Sequence, residues 1–449
     1  MVDHRTETEL ISDCVHCGFC LPACPTYRSW GAEADSPRGR IDLMKGLHEG
    51  AIALTDTVVA HFDQCLGCMG CVTACPSGVR YDLLIESTRA KIEAQHPRDA
   101  GDRTMRDMIF ALFPYPARLK ALAWPLFFYQ KSGLQALVRR TGLLRLLPPR
   151  LAAMAKIAPP LRLADVRATL PPFTPARGPK RGTVALVAGC VQRVFFPNVN
   201  AATIRVLAAE GFDVLVPAGQ GCCGALSLHA GRDGEAATLA RSLVATFGDL
   251  DGIDAIVINA AGCGSTLKQY GELLEGERAG RFAAKVRDVS EFLAEAGLVA
   301  QRRPMPLRVA YHDACHLAHA QRIREAPRAL LASIPELTLV DIADGDQCCG
   351  SAGVYNLLEP KAAAEIGARK ADNVLAARPD ILASANPGCT LQIQSILADR
   401  DIRVTAAHPV EILDAALLTP IVDSETGVLL PDDVVIAASS NPTTRPVCT

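Results

Sequence analysis

The spacing of apolar positions changes along the chain, from a helical pattern near its start to short apolar runs after residue 182. Ser36 followed by Pro37 predicts an N-cap and the first turn of a helix. An apolar group over residues 83–92 predicts a second helix, which Pro97 ends. We therefore expect an all-α domain over residues 1–100.

The segment over residues 101–181 is rich in Leu, Arg and Pro and contains aromatic clusters but no recognisable motif. Prolines near its end break any long helix and mark the approach to another domain. These prolines occupy positions 159, 160, 171, 172, 175 and 179. We expect a helical, Pro-rich connecting segment.

Short apolar runs alternate with helical stretches in the rest of the chain, which is typical of βαβ units and a parallel sheet. The alternation occurs twice, and we predict one α/β domain over residues 182–303 and another over residues 304–449. The predicted strands are 184–188, 213–217 and 254–259, then 307–311, 337–342 and 381–386. The predicted fold class is thus α/β plus α.

Charge and hydropathy exclude two classes of protein. Among 449 residues, 46 are basic and 48 acidic, so no global positive field attracts nucleic acid. No uninterrupted apolar run reaches the roughly 18 residues that a membrane-spanning helix needs. The polar N-terminus also lacks the apolar region of a secretion signal. We expect a cytoplasmic protein that binds no nucleic acid.

Seventeen cysteines are the unusual feature of this composition, because a reducing cytoplasm argues against disulfides and leaves metal binding or redox chemistry. Two kinds of repeat account for all of them except Cys448. The first repeat is Cys14, Cys17, Cys20, Cys24 and Pro25, then Cys65, Cys68, Cys71, Cys75 and Pro76. The second repeat is Cys190, Cys222, Cys223 and Cys263, then Cys315, Cys348, Cys349 and Cys389.

The first repeat, C-x2-C-x2-C-x3-C-P, is typical of ferredoxins with two clusters, in which the fourth cysteine of each run binds the other cluster. The predicted ligand sets are Cys14, Cys17, Cys20 and Cys75 for one 4Fe-4S cluster, and Cys65, Cys68, Cys71 and Cys24 for the other. Structural zinc is the alternative, although it usually uses two separated C-x2-C pairs. The block resembles the helical two-cluster ferredoxin domain of respiratory iron-sulfur subunits, which implies single-electron conduction.

The second repeat offers four thiolates per copy, enough for one iron-sulfur cluster in each. Its cysteines follow predicted strands, and parallel strands place their carboxyl ends at one edge of a sheet. The stretches Gly221-Cys222-Cys223-Gly224 and Cys348-Cys349-Gly350 resemble the cysteine-rich CCG domains of the heterodisulfide reductase family. Zinc in one repeat and a redox-active thiol pair remain alternatives.

The order of ferredoxin pair, helical linker and two CCG repeats most resembles the family of bacterial glycolate oxidase iron-sulfur subunits. The stretches Cys17-Gly18-Phe19-Cys20, Cys24-Pro25-Thr26-Tyr27 and the run 386–392 carry this resemblance. Subunits of lactate-utilisation and anaerobic glycerol-3-phosphate dehydrogenase complexes share much of the plan. Heterodisulfide reductase subunits usually have a fifth thiolate per repeat where this chain has Thr266 and Gln392, which argues against a disulfide-cleaving catalytic centre.

The remaining candidate residues are four histidines and one aromatic segment. His312, His316 and His319 flank Cys315 and suggest a mixed His/Cys metal site as one alternative. Because the first repeat has Val187, Val191 and Val194 at the corresponding places, we expect hydrogen bonding to the metal ligands or surface positions for these histidines instead. His229 is interpreted in the same way. The aromatic segment 124–129 is the candidate contact with a partner subunit, and peripheral contact with the inner face of the cell membrane, close to a quinone, is the alternative.

The chain has no Walker loop and no dinucleotide fingerprint, so we expect flavin to lie in another chain. The resemblance implies an electron-transfer subunit of an oxidoreductase complex that oxidises a 2-hydroxy acid, with glycolate the leading substrate. It also implies a flavoprotein partner and a quinone or other electron acceptor. A catalytic heterodisulfide-type subunit and a zinc scaffold or redox sensor are the rival hypotheses.

Overall fold

The computed structural model describes residues 5–418. Six helices form the N-terminal domain, and no strand occurs in the described part of it. The helices are α1 Glu7–Ser12, α2 Pro25–Trp30, α3 Pro37–His48, α4 Asp56–Asp63, α5 Gly70–Ala74 and α6 Tyr81–Gln95. The predicted start of α3 is confirmed, since Ser36 Oγ accepts a hydrogen bond from the Gly39 amide at 3.0 Å and Pro37 occupies the first turn.

The connecting segment is helical, as expected. Its helices are α7 Ala100–Leu112, α8 Pro116–Lys131, α9 Leu134–Arg140, α10 Pro149–Ile157 and α11 Leu163–Arg167. The segment also contains the strand β1, Phe173–Thr174, which the sequence did not predict and which pairs antiparallel with a strand of the next domain. The flanking prolines at 171, 172 and 175 fit an edge strand, where a missing amide donor is tolerated.

Each later domain has a parallel sheet flanked by helices. The first sheet contains β2 Gly182–Val187, β3 Phe212–Leu215, β4 Ala255–Ile258 and β5 Val286–Asp288, in the order β1-β3-β2-β4-β5. The second contains β6 Arg308–His312, β7 Thr338–Asp341, β8 Ile381–Ser384 and β9 Thr405–Ala407, in the order β7-β6-β8-β9. All six predicted strands are confirmed. The sequence did not predict β5 and β9, which are short edge strands without an apolar run long enough to identify them.

The remaining helices lie between these strands, except for the last helix, which follows β9. In the first α/β domain they are α12 Val191–Phe195, α13 Pro197–Ala209, α14 Ala225–His229, α15 Asp233–Thr246, α16 Ala261–Lys268, α17 Tyr270–Leu273, α18 Glu277–Lys285 and α19 Val289–Ala296. In the second they are α20 Glu325–Ala332, α21 Tyr355–Leu358, α22 Pro360–Ala376, α23 Pro387–Asp399 and α24 Pro409–Ala415. Cys448 and the rest of the predicted domain end, residues 419–449, lie outside the described residues.

One hydrophobic core joins the two α/β domains. Val184 and Leu186 of β2 belong to the same buried cluster as Val309 and Tyr311 of β6. Helix α19 packs on α20, and α13 packs on α24. One face of each sheet is buried against the other domain. The cysteine groups therefore lie on the opposite side of each sheet, near the carboxyl ends of its strands.

Candidate metal centres

The first ferredoxin group lies around a pocket near the surface. Cys14, Cys17, Cys20 and Cys75 all line this pocket, together with Pro76. Burial raises the pKa of the Cys14 thiol, and it raises the pKa of Cys20 to about 11. Four thiols around one pocket fit a metal cluster, because thiolates are the ligands that such clusters use.

The fourth cysteine of the first run, Cys24, is placed away from this pocket. Its Sγ lies 3.1 Å from Thr26 Oγ1 and 3.6 Å from the Asp35 carbonyl oxygen. The Cys24 thiol is close enough to Cys71 to contribute to raising the pKa of Cys71, after the larger effect of burial. This placement supports the predicted exchange of the fourth ligands.

The second ferredoxin group is more deeply buried than the first. Cys24, Cys65 and Cys71 are buried, whereas Cys17 of the first group is exposed. The Cys65 thiol accepts a hydrogen bond from the Gly67 amide at 3.4 Å, and the Tyr81 hydroxyl donates to it at 3.6 Å. Donors of this kind tune the potential of a bound cluster.

A buried guanidinium lies beside the second group. Arg40 is 1% exposed and donates to the carbonyl oxygens of Asp35 and His61, both at 2.7 Å, and to Thr26 Oγ1 at 3.2 Å. Burial is the largest single effect on Cys65 and disfavours its thiolate. The positive charges of Arg40 and Arg89, together with the hydrogen bonds from Gly67 and Tyr81, outweigh burial and lower the pKa of Cys65. The second group therefore lies in a more positive environment than the first, where Asp42 opposes ionisation of Cys14.

The cysteines of the first CCG repeat meet at the carboxyl ends of β2, β3 and β4. Cys190 Sγ lies 3.5 Å from Cys222 Sγ, and the Gly224 amide donates to Cys222 Sγ at 3.4 Å. Cys190 donates its thiol hydrogen to Cys222, and this bond together with burial raises the pKa of Cys190 well above its ordinary value. Cys263 completes the group, since its thiol contacts that of Cys223.

The second CCG repeat gathers its cysteines in the same way. Cys315, Cys348, Cys349 and Cys389 are all buried and follow β6, β7 and β8. Neighbouring thiols raise the pKa of Cys348 and Cys389 and lower that of Cys349, which receives their hydrogen bonds. Buried thiols crowded in this manner fit a metal centre, because uncompensated burial of so many polar groups is costly.

His312 joins the second group, which the sequence analysis did not predict. Its ring and the thiols of Cys349 and Cys389 offer ligand atoms that all lie within 4.8 Å of one another. His312 ends β6 on the same face as Ala310, and Ala310 shares a buried cluster with both cysteines. The sequence did contain one signal for this placement. Side chains alternate along a strand, so residue 312 lies on the face opposite Tyr311.

The other histidines connect domains. His316 lies 2.8 Å from Ser265 Oγ and 3.1 Å from the Gly67 carbonyl oxygen, and burial lowers its pKa to about 3. His319 pairs with Thr73 Oγ1 at 2.7 Å. His229 lies 2.9 Å from Glu86 Oε1. Of the two expected roles, the surface position is wrong for His312 and His319, which are 0% and 6% exposed. The ferredoxin domain and the thiol groups cover them, and His319 has the expected hydrogen bonds.

The second ferredoxin group and the second CCG group are adjacent. Leu66 shares one buried cluster with Cys315 and Cys348, and Cys68 packs against that cluster. Cys68 is half-buried, and the pKa of its thiol is raised first by desolvation and then by the neighbouring thiol of Cys315. The first group faces outward instead, where Val15 and Phe19 are 67% and 65% exposed.

The connecting segment presents an apolar surface. Trp124 and Phe127, two residues of the predicted partner contact, pack against a core cluster of their own chain. Phe128 is 61% exposed. Further exposed apolar residues of this segment are Leu122, Leu134, Leu137, Leu143, Leu146, Leu147 and Leu151. Among the helices of residues 5–418, none combines the length and apolar character that crossing a membrane requires.

Comparison with protein families matches most of this architecture. A 4Fe-4S dicluster domain matches residues 10–79, and a cysteine-rich domain matches residues 184–268 and 309–394. The linker region of the glycolate oxidase iron-sulfur subunit matches residues 101–158. The dicluster domain is therefore followed by two CCG domains, and these domain types indicate iron-sulfur clusters.

Individual relatives cover different shares of the chain. A probable glycolate oxidase iron-sulfur subunit of Bacillus subtilis is 38% identical over 92% of this chain and 95% of its own length. The glycolate oxidase iron-sulfur subunit of Escherichia coli is 34% identical over 91% of this chain and 94% of its own. Lactate utilization protein A of Exiguobacterium sp. is 27% identical over 52% of this chain and 96% of its own.

Proposed function

The chain belongs to the family of glycolate oxidase iron-sulfur subunits, and from this premise we propose that it carries electrons away from a flavoprotein partner that oxidises glycolate to glyoxylate. Iron-sulfur clusters exchange single electrons with little rearrangement, whereas oxidation of a 2-hydroxy acid by flavin releases two. A relay that accepts electrons singly lets a one-electron or quinone-type acceptor regenerate the flavin.

The observation that carries this proposal is the placement of the cysteine groups. Cys14, Cys17, Cys20 and Cys75 would hold an outer cluster, and Cys24, Cys65, Cys68 and Cys71 an inner one. Cys190, Cys222, Cys223 and Cys263 would hold the metal of the first CCG domain, and Cys315, Cys348, Cys349 and Cys389 that of the second. The outer group meets solvent and the inner group meets the second CCG group, as a relay from surface to interior requires.

The partner contact is assigned to the connecting segment. Helix α8 exposes Leu122 and Phe128, and the following residues expose a series of leucines. Exposed apolar surface of this extent is typical of protein interfaces. We assign it to the flavoprotein subunit because the family's linker region, residues 101–158, contains it.

Glycolate oxidation by the complex is favoured over the three rival hypotheses, which are lactate utilisation, disulfide cleavage and a zinc scaffold. The lactate utilization relative matches about half of this chain, whereas both glycolate oxidase relatives span the ferredoxin block, the linker and the CCG repeats. The disulfide-cleaving alternative lacks a fifth thiol, and Gln392 is bound instead to Asn356 Nδ2 at 2.9 Å. A zinc scaffold does not account for the two ferredoxin runs, because structural zinc usually uses two separated C-x2-C pairs.

The test is anaerobic purification of the chain with and without its flavoprotein partner. Iron, sulfide and zinc per chain are measured first, and iron with sulfide is expected. Glycolate is then added, and cluster reduction is followed by visible bleaching and electron paramagnetic resonance. We expect reduction only with the partner present, and faster reduction with glycolate than with lactate. Reduction of the isolated, flavin-free chain by glycolate would contradict the proposal.

A further inference from the structure

We propose that His312 is a metal ligand in the second CCG domain and that the two CCG domains therefore hold chemically different centres. In this arrangement an imidazole nitrogen joins the four thiolates of Cys315, Cys348, Cys349 and Cys389. The inference rests on the proposed function only in assuming that the second CCG domain binds a metal.

The first argument is the unsatisfied burial of the His312 ring. The side chain is 0% exposed, and in the described structure neither Nδ1 nor Nε2 has an oxygen or nitrogen partner. The group that the ring approaches is the thiol of Cys349. A buried polar group without a partner costs about 1 to 3 kcal/mol. Metal coordination satisfies one of the two nitrogens with the chemistry that imidazole is best suited to.

The neighbouring histidines show that this feature is specific. His316 uses its two ring nitrogens for Ser265 Oγ and the Gly67 carbonyl oxygen. His319 uses its own for Thr73 Oγ1 and the Asp346 carbonyl oxygen. Of the three histidines around Cys315, only His312 has both nitrogens without such partners, and it lies closest to the thiol group.

The second argument is distance. The ligand atoms of His312, Cys349 and Cys389 all lie within 4.8 Å of one another. Metal–nitrogen and metal–sulfur bonds of about 2.0 to 2.3 Å put two neighbouring ligands of one metal ion roughly 3 to 4 Å apart. A small side-chain adjustment therefore brings the three atoms onto one metal ion.

The first CCG domain lacks this donor. Val187 occupies the place in β2 that His312 occupies in β6, since each lies three residues before the cysteine that follows its strand. Val187 is buried in the cluster that contains Cys190, Cys222 and Cys223. The first domain can thus offer four sulfur donors, whereas the second offers four sulfurs and one nitrogen.

The experiment uses the full chain with all histidines labelled with ¹⁵N. Pulsed electron paramagnetic resonance on the reduced protein should detect one directly coordinated nitrogen on a single centre. His312→Gln should abolish this coupling, whereas His316→Gln, the matched control, should leave it unchanged. His312→Cys offers a replacement ligand, so metal content should be retained while the nitrogen coupling disappears. If the second CCG domain holds a paramagnetic iron-sulfur centre, coupling that persists in His312→Gln, or is absent from the labelled wild type, overturns the proposal.

Metal analysis separates this inference from the proposed function. If the second CCG domain binds zinc, X-ray absorption at the zinc edge should show nitrogen scattering that His312→Gln removes, and pure sulfur coordination would overturn the inference. Failure of glycolate to reduce the complex would instead contradict the proposed function and leave the nitrogen coupling intact. A second CCG domain that binds no metal overturns the inference alone.

Discussion

Thr73 Oγ1 lies 2.7 Å from His319 Nδ1, although 246 residues separate them in the chain. Thr73 belongs to α5, in the ferredoxin run that contains Cys71, and His319 belongs to the π-helical turn that follows Cys315. The same two segments meet again through the Gly67 carbonyl oxygen and His316. The inner ferredoxin group is therefore fixed on the second CCG domain by hydrogen bonds next to the cysteines of both.

Loss of this hydrogen bond should loosen the junction between the two domains. Thr73→Val removes the hydroxyl at nearly constant volume, and we expect a loss of about 1 kcal/mol. The thermal midpoint should fall by about 1 °C, measured by circular dichroism on the intact protein. Thr8→Val is the matched control, because Thr8 Oγ1 lies 2.8 Å from His48 Nε2 at an exposed site. Equal shifts in the two variants would contradict the structural role of the junction.

Exchange of the fourth ligands predicts which cysteine variants resemble one another. Cys24→Ser and Cys65→Ser should lose or convert the same cluster signal, although the two residues are far apart in sequence. Cys75→Ser should instead affect the cluster that Cys14 helps to hold. Electron paramagnetic resonance of each reduced variant distinguishes the two signals. Different signals lost by Cys24→Ser and Cys65→Ser would rule out the exchange.

The charge of Arg40 should raise the reduction potential of the inner ferredoxin cluster. As a general guide, a unit charge about 8 Å from another, at an effective dielectric constant of about 20, contributes about 2 kcal/mol, which corresponds to on the order of 100 mV. Arg40→Gln should lower the potential by about that amount, because the positive charge favours the reduced, more negative form. Redox titration followed by electron paramagnetic resonance measures it. Arg40→Lys keeps the charge and should shift the potential less.

The outer cluster serves as the internal reference in that titration. Arg40 contacts Thr26 and Asp35 beside Cys24, whereas Cys14 lies near Asp42. The reduction potential of the outer cluster should therefore change little in Arg40→Gln. Parallel shifts of both clusters would indicate a general structural change and contradict the specific effect of the guanidinium.

Acidification should destabilise the protein in part through His408. Burial lowers the pKa of His408 to about 3, against about 6.5 in an unfolded chain. The unfolded state therefore binds a proton that the folded state does not, so stability is full above about pH 6.5 and falls as the pH drops toward 3. Between about pH 7.5 and 5.5, this one group accounts for about 1.4 kcal/mol.

A non-titrating variant checks the sign and size of this effect. His408 Nδ1 accepts a hydrogen bond from the Val410 amide at 3.1 Å and thereby caps α24. His408→Asn keeps an acceptor at the cap but cannot be protonated in this range. The thermal midpoint of the variant should fall less between about pH 7.5 and 5.5 than that of the wild type. An identical fall would mean that His408 does not titrate on unfolding.

The sequence predicted those parts of the fold that depend on local pattern. The strands β2 and β6 are buried apolar runs, and the cysteine spacing identified each group without knowledge of the fold. The strand β1 was missed because two residues between prolines carry no periodicity. The sequence could not show that His312 lies beside Cys349 and Cys389, because the strand that precedes Cys389 is far from residue 312 in the chain. Contacts such as Thr73 with His319 require the tertiary arrangement and have no sequence signal.

The last prediction concerns the contact with the flavoprotein partner. The structure shows that Phe128 tests this contact better than Trp124. Trp124 and Phe127 pack against their own chain, so replacing either would disturb the fold as well as an interface. Phe128 stacks on Trp124 with ring centroids 6.3 Å apart and is 61% exposed, so its outer surface is free to meet the flavoprotein. Aromatic anchors of interfaces typically cost about 2 kcal/mol or more when truncated, which is roughly a 30-fold loss of affinity.

We therefore expect Phe128→Ser to weaken binding of the flavoprotein about 30-fold while leaving the thermal midpoint of the isolated chain nearly unchanged. Phe173→Ser is the matched control, since Phe173 is 50% exposed and belongs to β1, outside the exposed leucine series. Binding is measured by interferometry with the immobilised complex partner. Cluster reduction by glycolate should slow in proportion at low partner concentration and recover at saturating partner, because the variant removes docking surface and no cysteine. Unchanged binding in Phe128→Ser would move the contact away from α8, with the exposed surface around Phe19 as the next segment to examine.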